Sequence, residues 1–322
     1  MPRPFKFGIQ SYVAESGADW RDQVRAAEDL GYSVFTVADH YIGPGPALDR
    51  AAHPIQNIAA VPAMAVAAAI TDTIMIGCKV FCVDYHHPVV LAKELATIDM
   101  MSEGRLEVGL GAGWVAAEYE AMGITLDRPG IRIERLEAVA DLVRRFLAGE
   151  SLDIRSEYVT AFDFDANPVS PQPGGPKLMI GGGAPRILGM AGRIADIISI
   201  NLNNKAGTLK GPGVVNATAE ATLEKVGWIR DGAGDRFDDI ELEIPAYFTK
   251  VTDKAEETIQ SMASMFGMDP EVFRHHPHAL IGSVDHIAET VQARREQYGI
   301  SYISVGGKAA DFAPVVERLS GT

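Results

Sequence analysis

Residues 86–114 read HHPVVLAKELATIDMMSEGRLEVGLGAGW. Positions 89–101 are helix-like in their apolar spacing, and 106–110 is a short β-rich run. The run leaves through Gly109-Leu110-Gly111-Ala112-Gly113-Trp114. A helix feeding a strand is one link of an alternating α/β chain, so the rest of the sequence can be searched for the same rhythm.

The rhythm continues on both sides. β-rich runs lie at 5–10, 34–38, 74–81, 106–110, 178–180, 197–200, 240–251 and 302–305. Helix-like stretches follow them at 20–30, 55–70, 89–101, 132–147, 187–193 and 217–230, then as a pair near 256–266 and 284–298, and finally at 314–319. The segment 149–176 is rich in proline, aspartate and aromatics and breaks the alternation, which reads as an insertion after the fourth βα unit. Eight strands alternating with helices predict an α/β fold of the (β/α)₈ TIM-barrel type, because an open doubly wound sheet usually stops at five or six strands. No low-complexity segment or linker interrupts the chain, so residues 1–322 read as a single domain.

Composition narrows the function classes. The formal charge of −14 argues against nucleic acid or an anionic membrane as partner, since both need a basic face. No run approaches a membrane span and the N-terminus lacks the apolar core of a signal peptide, so a cytoplasmic protein is expected. Cys78 and Cys82 are four residues apart in an expected strand, about 13 Å between Cα atoms at ~3.3 Å per residue, too far for a disulfide.

In a barrel, chemistry gathers on the loops past the strand C-termini. The second strand ends in Asp39-His40-Tyr41, the third in Cys78-Lys79-Val80-Phe81-Cys82 before His86-His87-Pro88, and the fourth in the glycines up to Trp114. The fifth ends in Gly181-Gly182-Gly183-Ala184-Pro185-Arg186, where free backbone N–H groups at a helix start would receive an anion such as phosphate. A plain tight turn is the alternative. The glycines Gly109, Gly111 and Gly113 do not have dinucleotide-fingerprint spacing, and suit a flat ligand against the backbone with Trp114 as a wall, or crowding in the barrel. Asp39 and His40 face opposite ways along a strand, so one looks into the mouth, and a histidine there can donate a proton near neutral pH. His86 and His87 diverge and lack a carboxylate cluster, so no metal site is expected. Nucleophile-elbow and P-loop signatures are absent.

The quoted stretch, together with Gly-Tyr-x-x-Phe-x-x-Ala-Asp-His at 31–40 and the segment 181–200, resembles the luciferase-like oxidoreductase superfamily, close to its F420-dependent branch. The resemblance covers nearly the whole chain. It implies that reduced coenzyme F420, or alternatively FMN, lies at the C-terminal mouth against a non-prolyl cis peptide on the third strand, by position Lys79–Val80. It further implies that Asp39 and His40 line the ring edge, that Gly111, Ala112, Gly113 and Trp114 flank it, and that Gly181, Gly182 and Gly183 hold the phosphate. Two features depart from the family pattern: a charged lysine at Lys79 where many relatives carry a small residue, and Trp114 where sugar-phosphate dehydrogenases of the superfamily carry a catalytic glutamate, which counts against glucose-6-phosphate oxidation.

The expected activity is therefore hydride transfer between reduced F420 and a small organic substrate, with His40 as catalytic proton donor. An FMNH2-dependent two-component monooxygenase, a non-catalytic cofactor-binding protein and a metal-dependent barrel hydrolase are the rival readings. The family implies a homodimer and a separate enzyme that reduces the cofactor. Substrate choice is expected to rest on the loops 43–54, 149–176 and 201–215.

Overall fold

The computed structural model describes residues 2–209 and 212–322; of the loop 201–215, residues 210 and 211 lie outside the described part. Among the described residues thirteen strands run in chain order: β1 Lys6–Gln10, β2 Val34–Val37, β3 Met75–Cys78, β4 Phe81–Cys82, β5 Leu106–Gly111, β6 Ser151–Arg155, β7 Thr160–Asp165, β8 Leu178–Gly182, β9 Ile197–Ile200, β10 Glu241–Ala246, β11 Phe248–Val251, β12 Ala279–Gly282 and β13 Ile300–Gly306. Eight parallel staves close into a barrel in the order β3, β2, β1, β13, β10, β9, β8, β5, with closure by β5 against both β3 and β4. Strands such as β2, β5 and β9 are buried along their whole length, as parallel strands covered by helices must be.

Helices cover the outside. Those at Pro88–Met101, Pro129–Leu147 and Pro185–Ile194 each begin with proline, whose missing N–H costs nothing in a first turn. Those at Gly17–Asp29, Ala219–Ala233 and Val284–Tyr298 are capped by the hydroxyls of Ser16, Thr218 and Ser283. Among the described residues no helix is long and apolar enough to cross a membrane.

The stretch that announces the repeat is also tightly tied. Arg105 donates to the carbonyls of Ala68, Thr71, Ile74 and Ser102 and to the Thr71 hydroxyl, all within 2.8–2.9 Å, closing the ends of two neighbouring helices. Asp99 is fully buried and accepts from the Leu106 N–H, the Gln172 amide and the Ser170 hydroxyl, pinning the return of the insertion to the barrel. Arg105→Met strips partners from four backbone carbonyls and is expected to cost about 2–4 kcal/mol, read as a lower urea midpoint at unchanged m.

Three local readings need adjustment. The run 240–251 is two strands: β10 stays in the barrel, while β11, beyond Tyr247, leaves it and pairs in parallel with β12. β12 was not expected, because a four-residue apolar run between helices has no period of its own. The insertion 149–176 holds an antiparallel hairpin, β6 with β7. The third strand, expected as one run over 74–81, is broken at residues 79–80.

The barrel interior is not purely apolar. Near its base Lys6 Nζ lies 2.6 Å from Glu107, which also accepts from the Tyr302 hydroxyl at 3.0 Å. Gly8 leaves the room: a Cβ there would stand 3.1 Å from the Tyr302 ring. Nearer the mouth Lys79 Nζ lies 2.7 Å from Glu243, itself fully buried.

Candidate active site at the barrel mouth

The Lys79–Val80 peptide is cis, at the position the resemblance implied. Its neighbours hold it from both sides: the Lys79 N–H donates to the Val37 carbonyl at 2.8 Å, and the Gln10 amide donates to the Lys79 carbonyl at 2.8 Å. Lys79 does not stand out into the mouth. Its side chain is buried across the barrel against Glu243, while half-buried Val80 packs on the interior cluster of Met179, Ile197 and Tyr302.

The fourth-strand glycines fit around this bulge. A Cβ on Gly111 would lie 2.5 Å from Val80 Cγ2, one on Gly109 would run into the Cys78 carbonyl, and one on Gly113 into the Tyr119 hydroxyl. These glycines therefore have a reason within the fold itself, the close approach of neighbouring chain. Gly183 has the same kind of reason, since its Cβ would strike the Leu202 carbonyl. Arg132 donates to the carbonyls of Ala112 and Gly113 and fixes the turn before Trp114.

Asp39 and His40 lie just past β2, which ends at Val37, and their side chains have different partners. Asp39 is buried, and its Oδ2 accepts from the Cys82 N–H at 2.9 Å and bonds His86 Nε2 at 2.8 Å. Its Oδ1 is buried with no hydrogen-bond partner within 3.5 Å among the described residues. His87, by contrast, is exposed. His40 Nδ1 lies 2.7 Å from Glu118 Oε2, and its ring meets those of His53 at 4.1 Å and Trp114 at 6.2 Å between centroids.

Glu118 is the site residue that sequence reasoning missed. It sits in the short helix Ala116–Met122 and is fully buried, accepting from the Tyr41 N–H at 2.5 Å and the Tyr85 hydroxyl at 3.1 Å as well as from His40. Burial pushes its carboxyl up, but the His40 hydrogen bond and charge, with the Tyr41 and Tyr85 donors, outweigh that and hold it below the usual carboxylate range. The one available signal was its place one helical turn past Trp114. Since a carboxylate only accepts, His40 Nδ1 carries the hydrogen, and Nε2 is the nitrogen free for proton exchange.

His53 was also missed. Burial, reinforced by His40, pushes it down to about 4. A histidine depressed when folded supports the native state fully above its unfolded value near 6.5, and that support is lost as pH falls from about 6.5 through about 4. Urea unfolding is thus expected to weaken over this window, and His53→Gln should flatten the decline. Both cysteines are free and buried, and burial pushes the Cys82 thiol up to about 12.

At the fifth-strand exit the helix Pro185–Ile194 begins after Gly181, Gly182 and Gly183 with no side-chain cap. Arg186 is turned away, 2.6 Å from Glu134. An uncapped helix start beside glycines suits a phosphate, and the orphaned Asp39 Oδ1 suits a donor from a polar ring. The residues present fit a phosphate-bearing cofactor with a hydrogen-bonding ring.

Comparison with known proteins bears on the family and the fold. The model of the luciferase-like monooxygenase family matches residues 4–210. The chain is 26% identical over 277 residues to 5,10-methylenetetrahydromethanopterin reductase of Archaeoglobus fulgidus, covering 84% of this chain and 73% of that protein. It is 26% identical over 282 residues to the F420-dependent glucose-6-phosphate dehydrogenase of Nakamurella multipartita, covering 84% and 75%. In fold it is similar, with a TM-score of 0.69 at 16% identity over 99% of this chain and 98% of the other, to the FMN-bound oxygenating constituent of the Pseudomonas putida 3,6-diketocamphane monooxygenase. A closed barrel, a cis peptide on the third strand and a family match over most of the chain lead to one assignment: this protein belongs to the luciferase-like monooxygenase family and is a luciferase-like enzyme.

Proposed function

We propose that the chain is an F420-dependent oxidoreductase that passes a hydride between the reduced deazaflavin and a small organic substrate. The observation that carries this reading is the His40–Glu118 pair at the mouth, 2.7 Å apart, in a barrel whose fifth strand leads into an uncapped helix start. The F420-dependent relative, aligned over most of the chain, supports the choice of cofactor.

The bound cofactor supplies the hydride. The chain's own residues hold and protonate. Gly181, Gly182 and Gly183 would take the phosphate, Asp39 would accept from the ring edge, and the segments Lys79-Val80 and Gly111-Ala112-Gly113-Trp114 would bound the ring. His40 carries the proton on Nε2 as an imidazolium braced by Glu118, and gives it to the substrate atom that becomes basic. In this reading all 322 residues act as one catalytic unit. The enzyme works in the cytoplasm on a small molecule, as a homodimer, with a separate enzyme regenerating the reduced cofactor.

FMN is the second reading, favoured by the fold likeness to an FMN-bound monooxygenase. Titration of the purified protein with reduced and oxidised F420 and FMN tests both: at least about tenfold tighter binding of F420, or ~1.4 kcal/mol, is expected. Preference for FMN with oxygen uptake would replace the proposal with a two-component monooxygenase. Binding with no oxidation of reduced F420 across a panel of ketones, enones and imines would favour a non-catalytic carrier.

A further inference from the structure

We propose that the buried Lys79–Glu243 pair is a charge-balanced support for the cofactor ring, holding the interior beneath it at no net charge so that neither the reduced nor the oxidised ring is favoured from below. The inference rests on the reading above that a flavin or deazaflavin ring lies against Val80. It concerns the side chain of Lys79, of which that reading uses only the chain segment, and Glu243, which it does not use.

Lys79 Nζ and Glu243 Oε1 are 2.7 Å apart, with side chains 4% and 0% exposed. Ser304 Oγ donates to the same Glu243 oxygen at 2.6 Å. Glu243 Oε2 is buried without a partner, and so is the hydroxyl of Ser199, its register neighbour on β9. Among the described residues the ammonium has Glu243 as its one ion-pair partner within 4 Å, and its backbone is fixed by Val37 and Gln10. Val80, the next residue, caps this interior at the level of Gly111 and Gly181.

In such an interior a unit charge is felt over several ångströms far more than in water. Together the two charges cancel; either alone would not. A flavin or deazaflavin ring that takes up two electrons and one proton gains one negative charge. A lone ammonium beneath it would then favour the reduced form, and a lone carboxylate the oxidised form.

The test is binding, not turnover. Dissociation constants of oxidised and dithionite-reduced F420 and FMN are measured anaerobically for the wild type, Glu243→Gln, Lys79→Met and the double variant. Glu243→Gln is expected to shift the oxidised-to-reduced Kd ratio about tenfold toward the reduced ring, equivalent to ~30 mV for a two-electron couple. Lys79→Met should shift it as far the other way, and the double variant should return to within about threefold of wild type. Glu243→Asp keeps both charges but draws the carboxylate back, so a smaller shift in the Glu243→Gln direction is expected, which covers misfolding of the amide variant. A merely structural pair would move both single variants in the same direction or not at all, and that result, with the wild type binding a ring, overturns this inference alone. A wild type that binds neither cofactor overturns the proposed function and this inference with it.

Discussion

Replacing His40 by alanine is expected to lower turnover by about 10²–10⁴-fold while leaving cofactor affinity within a few-fold. One nitrogen of the imidazole is committed, Nδ1 to Glu118, which leaves Nε2 for exchange, and the ring is walled by His53 and Trp114. Removing it takes away the proposed proton donor but not the helix start proposed to hold the phosphate, nor the bulge at Lys79-Val80. Oxidation of reduced F420 by substrate, followed by the return of its visible absorbance, measures the first quantity, and equilibrium titration the second. Turnover unchanged in His40→Ala would remove His40 from the mechanism.

Glu118→Ala is expected to be the most damaging single change at the site. The carboxylate is buried and serves three donors, the His40 ring, the Tyr41 N–H and the Tyr85 hydroxyl. Alanine leaves all three without an acceptor, at about 3–5 kcal/mol for a broken buried pair. Glu118→Gln separates stability from chemistry. Its amide oxygen still accepts from one or two of these donors, so most of the stability should return, but without the negative charge an imidazolium at His40 is no longer braced. Urea unfolding should therefore rank wild type, glutamine, alanine, whereas turnover should be low in both variants.

The barrel was legible because it is written locally. Eight runs of buried strand residues recur between helical spacings, and each is readable within ten residues. The mouth was half legible. Glycine clusters and a histidine at strand ends stand out by position, and the family pattern located the third-strand break. What the sequence hid are partnerships across distance: Glu118 meets His40 from 78 positions away, and Glu243 meets Lys79 from 164. Glu118 lies in a seven-residue helix, marked only by its place four residues past Trp114, and Glu243 lies in a buried strand with nothing adjacent to mark its partner. The glycines left ligand room and plain crowding or a tight turn both open, and at 109, 111, 113 and 183 a Cβ would strike neighbouring protein, which is a reason for glycine within the fold. Lys79 looked misplaced for a mouth residue because its partner, on the far wall of the barrel, could not be seen.

The contact between Val80 and Gly111 has an evolutionary corollary. A methyl group at 111 overlaps Val80 Cγ2 at 2.5 Å, but that carbon disappears if residue 80 is alanine. The two sites share one volume. Substitution at 111 alone should be purged from this lineage, whereas the exchanged pair, small at 80 and larger at 111, is a permitted neighbour in sequence space. Descendants that remodel this floor should thus arrive there through position 80 first.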